Sequence, residues 1–408
     1  MNKRVLMVAH TYYPINGPGA HRAAKFAKYL PKFGWVPVVL CTQWRPDYRG
    51  EGYDPLLAAR PDVCRTVRVP YRGPPCTWVG KAAAKAAQML WPYRSPLGLA
   101  RRMLSSAEQL TADGRFDVIW ATSPLGMTHY VASRIARRRG IPWVADFRDL
   151  PDQTYKTWRT RRAVRDESRI CASAAALIAV SRPHADCLAS RHRRPVHLIP
   201  NGFDPDDYSV SPVKTFEKFR IGYFGILYEF RSPAPLFAAL DLLAARGAIG
   251  LNDIRVEFYG ADKARVARCL EGRRCARVVE AKDRVTHDEM TRLESRMAVL
   301  LNIQSAEAGG AIPSKIFDYM AARRPVLNIP GDGGPIDSLI AETLAGRTAG
   351  TVDEVAQVVG AWYREWKSTG TVAYTGKEEQ IALYTRERQT ATLAGILHAV
   401  TSEGTGSL

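Results

Sequence analysis

Arg4-Val-Leu-Met-Val-Ala-His-Thr-Tyr-Tyr-Pro-Ile-Asn-Gly-Pro-Gly19 decides the fold. Residues 4–9 are a short apolar run, and the prolines and glycines of 13–19 break it. From Ala20 to about residue 33, Ala23, Phe26, Ala27 and Leu30 recur on one helical face. Strand, glycine turn and helix make half of a βαβ unit, and the chain repeats the pattern. Further strands are expected at 36–41, 118–121, 143–146, 177–180 and 196–199, with helices between them. The pattern then restarts, with strands at 220–224, 255–259, 278–280, 299–303 and 326–329. Helices are expected near 233–246, 263–271, 286–296 and 314–322. Strands separated by helices imply parallel, doubly wound sheets. Residues 201–218, polar and proline-bearing, read as a linker between two Rossmann-like α/β domains. Ligands of such sheets bind at the carboxyl ends of the strands, so the active site is expected in a cleft between the domains. Residues 45–116 fit this scheme poorly.

Composition narrows the classes. The chain has 408 residues, 46% of them hydrophobic and 24% charged, enough for two or three packed domains and unlike a disordered chain. No window approaches 18 consecutive apolar residues, and the 5–9 run is too short for a signal-peptide core. A chain that neither spans a membrane nor enters a secretory route by that signal is expected, hence one in the cytoplasm. The cysteines at 41, 64, 76, 171, 187, 269 and 275 are scattered without metal spacing. They suit reduced structural thiols rather than disulfides or a metal site. The net charge of +18 is uneven: residues 1–210 hold 33 Lys and Arg against 16 Asp and Glu, and residues 211–408 hold 25 against 24. A basic first half points to an anionic partner or to a solvated basic surface. Within it, Trp78, Trp91, Tyr93 and Arg94, followed by Arg101 and Arg102, suit either a membrane interface or an insertion packed on its own domain.

Three constellations can carry chemistry. Gly17-Pro-Gly19 lies between strand and helix, where small residues allow close backbone approach and a helix N-terminus favours anions. Asp146-Phe-Arg148-Asp149 ends a strand and would form either a buried ion pair or an acid/base and clamp for a polar substrate. Pro313-Ser-Lys315-Ile-Phe-Asp318 opens a helix behind Gly309 and Gly310. Lys315 with the backbone N–H groups of Gly309, Gly310, Ala311 and Ile312 would cradle a diphosphate, and Asp318 would accept from ribose hydroxyls. A solvated Lys–Asp pair at a helix start is the plainer reading.

The chain resembles, from end to end, the retaining family 4 glycosyltransferases of GT-B fold. Residues 5–9 with Tyr13-Pro14, Gly17-Pro-Gly19 and Arg22 are similar to that family's first strand and glycine loop. Asp117-Val-Ile-Trp-Ala-Thr-Ser-Pro124 and Ile141-Pro-Trp-Val-Ala-Asp-Phe-Arg-Asp149 are similar to its acceptor-domain strands. Leu177-Ile-Ala-Val-Ser181 with Ile199-Pro-Asn-Gly-Phe-Asp204 resembles its interdomain segment, and Pro313-Ser-Lys-Ile-Phe-Asp-Tyr-Met-Ala-Ala-Arg-Arg-Pro-Val326 its donor-site helix.

The resemblance implies a GT-B fold, two Rossmann-like domains facing across a cleft. Residues 1–200 would bind the acceptor and 219–375 a nucleotide diphosphate sugar. Residues 376–408 would form a helix packing back towards the first domain. It implies transfer of the sugar with retention to an acceptor hydroxyl in bacterial glycan or glycoconjugate synthesis. Catalytic residues would be Asp146, Arg148, Arg231 and Lys315. Donor-binding residues would be Gly17, Gly19, Gly225, Arg284, Val285, Gly309, Gly310, Ala311, Ile312 and Asp318. No metal and no cofactor are expected. The departures are specific. Asp318 stands where the family has a glutamate, Gly310 where it has another, with Glu307 nearby, and Gly225 where a second basic residue is frequent.

The basic first half, in this family the acceptor domain, implies an acceptor that is anionic or lipid-linked, and a peripheral place on the inner face of the cell membrane stays open. The alternatives are a soluble natural-product acceptor, an inactive GT-B scaffold, and an inverting transferase or epimerase of the same fold. Nucleic acid is not an expected partner, because no RNA or DNA motif accompanies the charge.

Overall fold

A computed structural model describes residues 2–44, 52–71, 77–123, 125–151, 158–208, 216–229, 231–304, 312–331 and 333–403. The chain divides into two units, Met1–Pro200 with Arg386–Leu408, and Asn201–Thr385. Residues 201–208, expected in a linker, thus pack in the second unit. There the N–H of Phe203 donates to the carbonyl of Tyr384. The second division falls after Thr385 rather than after residue 375.

The first unit is built on seven parallel strands: β1 (Lys3–Ala9), β2 (Trp35–Gln43), β3 (Arg65–Pro70), β4 (Val118–Thr122), β5 (Trp143–Phe147), β6 (Ala176–Ala179) and β7 (His197–Leu198). Their order is β3-β2-β1-β4-β5-β6-β7. Val5 to Ala9 are all fully buried, as expected of a central parallel strand covered on both faces. One layer of core lies under the helices Leu97–Asp113 and Met127–Arg139. The other is closed by Pro18–Tyr29 and by the last helix, Arg386–Glu403, whose Leu393, Leu397 and Val400 pack with Val5, Met7 and Phe26.

The second unit has six parallel strands: β8 (Phe219–Phe224), β9 (Ile254–Tyr259), β10 (Val279–Lys282), β11 (Val299–Ile303), β12 (Val326–Ile329) and β13 (Gly346–Thr348). Their order is β10-β9-β8-β11-β12-β13. Both sheets reverse direction of winding at one point, between β1 and β4 and between β8 and β11. The crevice that binds ligands opens at the carboxyl ends of those strands.

Two strands were not anticipated. β3 lies in the stretch 45–116 and pairs with β2 over Val38–Gln43, a neutral-to-basic edge strand with only Val69 buried. β13 is three residues long and starts with a glycine; a Cβ there would sit 2.0 Å from the carbonyl oxygen of Val326. With Arg65 and Arg68 in β3 and only Gly-Arg-Thr in β13, neither carries the apolar run that marks a central strand.

Candidate functional site

In the first unit the carboxyl ends of β1, β4 and β5 gather Gly19, Asp146 and Arg148 as the sequence suggested, with one change of role. Asp146 is fully buried, and both of its oxygens are taken by the guanidinium of Arg22, Nε donating over 2.9 Å and Nη2 over 2.7 Å. The Thr122 hydroxyl adds a third bond at 2.7 Å. Arg22 itself is 0% exposed and spends its remaining donors on the carbonyls of Ile199 and Pro200. Asp146 is therefore a positioning residue rather than a catalytic group. It ties the helix Pro18–Tyr29 to β4, β5 and the 199–200 segment.

Arg148 is half-buried, with its N–H on Ser123 Oγ at 3.1 Å and its Nε on the Ser123 carbonyl at 2.6 Å. Its guanidinium lies on Gly19, where a Cβ would meet Nη1 at 2.3 Å. A side chain at 19 would therefore push the Arg148 guanidinium aside. Gly17 has only an ordinary contact with Ile15. We expect Gly19→Ala to displace the Arg148 guanidinium and to lower kcat/KM by about tenfold or more, the scale of a misplaced positioning group, with little change in thermal midpoint. Steady-state kinetics beside a thermal melt checks this, and unaltered turnover contradicts it.

His10, directly after β1, was missed. Its Nδ1 lies 3.0 Å from Thr42 Oγ1, its ring meets Trp44 edge-on at 5.1 Å, and burial, helped by Arg148, lowers its pKa to about 4. A neutral imidazole at this strand end can accept a hydrogen bond near neutral pH. The strand-end rule that singled out Asp146 reaches His10 equally. His129, by contrast, is wholly buried against Tyr93 Oη at 2.7 Å and the Asp146 carbonyl at 3.3 Å, and burial holds it neutral. It is a core histidine.

The second unit's crevice holds the remaining candidates. Gly225 follows β8 with φ 114, a left-handed conformation that favours glycine. A Cβ on it would lie 3.5 Å from Lys315 Nζ. The Lys315 ammonium is buried without a hydrogen-bond partner among the described residues and sits 3.7 Å over the ring of Tyr223. Burial, then the neighbouring charge of Arg231, pushes its pKa well down, against the opposing pull of Glu294. Arg231 is 8% exposed, with Nη2 3.5 Å from Gln304 Oε1 and its guanidinium 5.4 Å from the Tyr228 ring. Gln304 directly follows β11, so β8, β11 and the helix Lys315–Ala321 converge here.

That helix is one residue shorter at each end than the expected 314–322, and Lys315 opens it. Asp318 lies on it half-exposed. Arg284 is placed beside Gly260 (φ 79), its Cβ 3.7 Å from a Cβ built there, and Val285 and Ile312 pack on the apolar cluster around Phe317 and Tyr319. Gly309, Gly310 and Ala311, and Glu307 with them, lie outside the described residues.

Glu294 went unnoticed in the sequence. It is 0% exposed, accepts from Tyr208 Oη at 3.0 Å, and its pKa is raised well above the carboxylate range by burial and then by Asp318. Nothing in the helix His287–Glu294 distinguishes it from solvated neighbours, since its last residue faces inward only because of how the helix docks.

The Lys315 ammonium and the Arg231 guanidinium beside a glycine at a winding reversal make a basic crevice with the chemistry to receive an anion. Both units have the doubly wound form of the GT-B glycosyltransferases. Residues 17–202 match the model of the glycosyl transferase 4-like domain. Among solved structures, Alr3699/HepE of Anabaena, in complex with UDP and glucose, matches with a TM-score of 0.67 at 15% identity, covering 97% of this chain and 100% of that one. Sucrose-phosphate synthase of Thermosynechococcus elongatus matches with a TM-score of 0.63 at 13% identity, over 98% and 100% of the two chains. The lipopolysaccharide outer core galactosyltransferase WaaB, in its apo form, matches with a TM-score of 0.59 at 11% identity, over 97% and 99%. No curated protein sequence matches the chain. The domain match and the shared fold together support a glycosyltransferase of the GT-B type.

Proposed function

We propose that the chain transfers a sugar from a nucleotide diphosphate sugar to an acceptor hydroxyl with retention of configuration. The observation that carries the reading is the buried, unpartnered ammonium of Lys315 beside Arg231 and Gly225 at the β8–β11 reversal. A buried ammonium without a hydrogen-bond partner among the described residues is unfavourable in the empty protein, and a diphosphate supplies acceptors and charge. Arg231 and Lys315 bind the diphosphate oxygens, with the 309–312 backbone assigned to the same group. Asp318 takes the ribose hydroxyls, and Arg284 and Val285 lie where the base is read. As the bond from the anomeric carbon to phosphate oxygen breaks, the acceptor oxygen bonds to that carbon on the same face. The acceptor's proton goes to the departing phosphate. Charge grows on the leaving diphosphate, so fixed cations lower the barrier more than they stabilise the bound donor. In the first unit Arg148 and neutral His10 orient the acceptor hydroxyl, and Asp146 holds their elements in place through Arg22. UDP in the HepE complexes favours uridine as the base. WaaB's lipopolysaccharide acceptor, with the basic first half of this chain, favours an anionic or lipid-linked acceptor.

A thermal-shift panel of nucleoside diphosphates and nucleotide sugars in EDTA tests the donor half of the reading. Ligand at about a hundred times Kd adds ~2.7 kcal/mol to the native state, a rise of about 5–10 °C for a unit of this size. One nucleotide should shift the midpoint by that much. A flat panel, with and without magnesium, refutes it, and the anomeric configuration of the product tests retention separately.

A further inference from the structure

The helix Trp78–Leu90 buries none of its residues. Gly80, Ala84 and Ala87, which share one face, are its half-buried positions. The opposite side carries Trp78 (83% exposed), Val79 (68%), Met89 (41%) and Leu90 (46%), with Trp91 (42%) just beyond the end. At 100° per residue Trp78, Met89, Ala82, Ala86, Val79 and Leu90 form one apolar stripe, and Lys81 and Lys85 flank it on one edge. A helix normally turns its apolar stripe to the core; this one turns it to solvent.

The neighbouring helix Trp158–Cys171 packs on the same short turn, Pro92–Arg94, as Trp78–Leu90 does. Its outward face is Trp158, Arg161, Arg162, Arg165 and Arg169, all exposed. Both of its carboxylates are engaged: Asp166 meets Arg94 at 3.2 Å, and Glu167 is buried against Arg191 and His192. From Asp62 to Glu108 the chain has no acidic residue between them and eight basic ones. The face therefore combines exposed indoles and aliphatic side chains with an excess of positive charge.

We propose that these two helices dock the first unit on an anionic lipid surface, Trp78–Leu90 lying in the plane of the interface with its apolar stripe among the acyl-chain boundary and the arginines of Trp158–Cys171 over the headgroup phosphates. The chemistry matches interfacial amphipathic helices, where buried apolar area and attraction to anionic lipid add. Arginine-rich surfaces also attract RNA. An outward apolar stripe has no role against a phosphate backbone, so the lipid surface is the better fit. No helix among the described residues is long and apolar enough to cross a membrane, so the contact is on the surface. The inference deepens the proposed reading of a lipid-linked or anionic acceptor, but lipid binding needs neither donor nor turnover, so the two can fail separately.

The test is flotation of the full chain with vesicles of phosphatidylcholine alone and with about a third phosphatidylglycerol. The wild type should float with the anionic vesicles, leave the neutral ones, and release in part in high salt. Trp78→Ser/Val79→Ser/Met89→Ser should lower the partition coefficient by about tenfold or more, since each buried apolar side chain contributes on the order of a tenfold effect. Arg161→Gln/Arg165→Gln should lower it several-fold and flatten the salt dependence. All these residues are exposed, so the thermal midpoint should hold, and the arginine pair serves if the triple variant does not fold. A wild type that does not float overturns the proposal. So does flotation unchanged in both variants, RNA binding that only the arginine pair weakens without any flotation, or a soluble dimer that the triple variant dissociates.

Discussion

Lys315→Met should lower kcat/KM by about 10²–10³ while raising the thermal midpoint, and the opposite signs are the informative part. The loss follows because a preorganised charge aimed at a developing anion is worth about that factor. The gain follows because the ammonium is buried, without a hydrogen-bond partner among the described residues and pressed by Arg231, an arrangement that costs stability in the empty protein. Methionine keeps the unbranched length over Tyr223 and removes the charge. Arg231→Ala should cost a similar factor in turnover. If both variants kept full kcat/KM, the crevice would not be the donor site.

The depressed pKa of Lys315 adds a pH signature. A bound diphosphate favours the ammonium form, so the pKa rises on binding and the protein takes up a proton at any pH between the free and bound values. Affinity for the diphosphate should then fall as pH rises through that window, by at most about tenfold per pH unit. Calorimetry in buffers of different ionisation enthalpy reads the uptake directly, and Lys315→Met should abolish it. Proton release on binding would contradict the assignment.

Asp146→Ala should destabilise the first unit by ~3–5 kcal/mol, about 10 °C in its midpoint, because it strands the Arg22 guanidinium in a fully buried site. The removed carboxylate also leaves the Thr122 hydroxyl only its longer bond to the Ser123 carbonyl, 3.3 Å. The double variant Arg22→Met/Asp146→Leu should recover most of the loss, since replacing both partners by apolar groups removes the uncompensated charge. Differential scanning calorimetry of the single and double variants decides it. A single variant as stable as the wild type would mean the pair is not holding the glycine-loop helix. Activity separates positioning from catalysis: the double variant should fold well and still turn over slowly, because Arg148 and His10 lose their alignment.

Much of the fold was legible because central parallel strands are buried on both faces and therefore read as apolar runs, with β1, β11 and β12 found almost to the residue. β3 and β13 escaped because Arg65-Thr-Val-Arg-Val-Pro70 and Gly346-Arg-Thr348 carry no such run, and residues 45–116 looked anomalous for that reason. The residue types of the site were legible wherever a strand ended or a glycine preceded a helix, which is how Arg148, Gly19 and Lys315 came to notice. The sequence by itself determined the central strands and their parallel direction, the two Rossmann-like halves and the basic charge of the first. Tertiary structure alone decided which partner each charged group meets. Asp146 is claimed by Arg22 from 124 residues away, Glu294 turns inward beneath Asp318 and Lys315, and the Trp78 stripe faces water. Hydrophobic periodicity is a local property that the chain carries in its order. Charge pairing and burial depend on which distant elements the packed sheet brings within a few ångströms, and no local spacing encodes that distance.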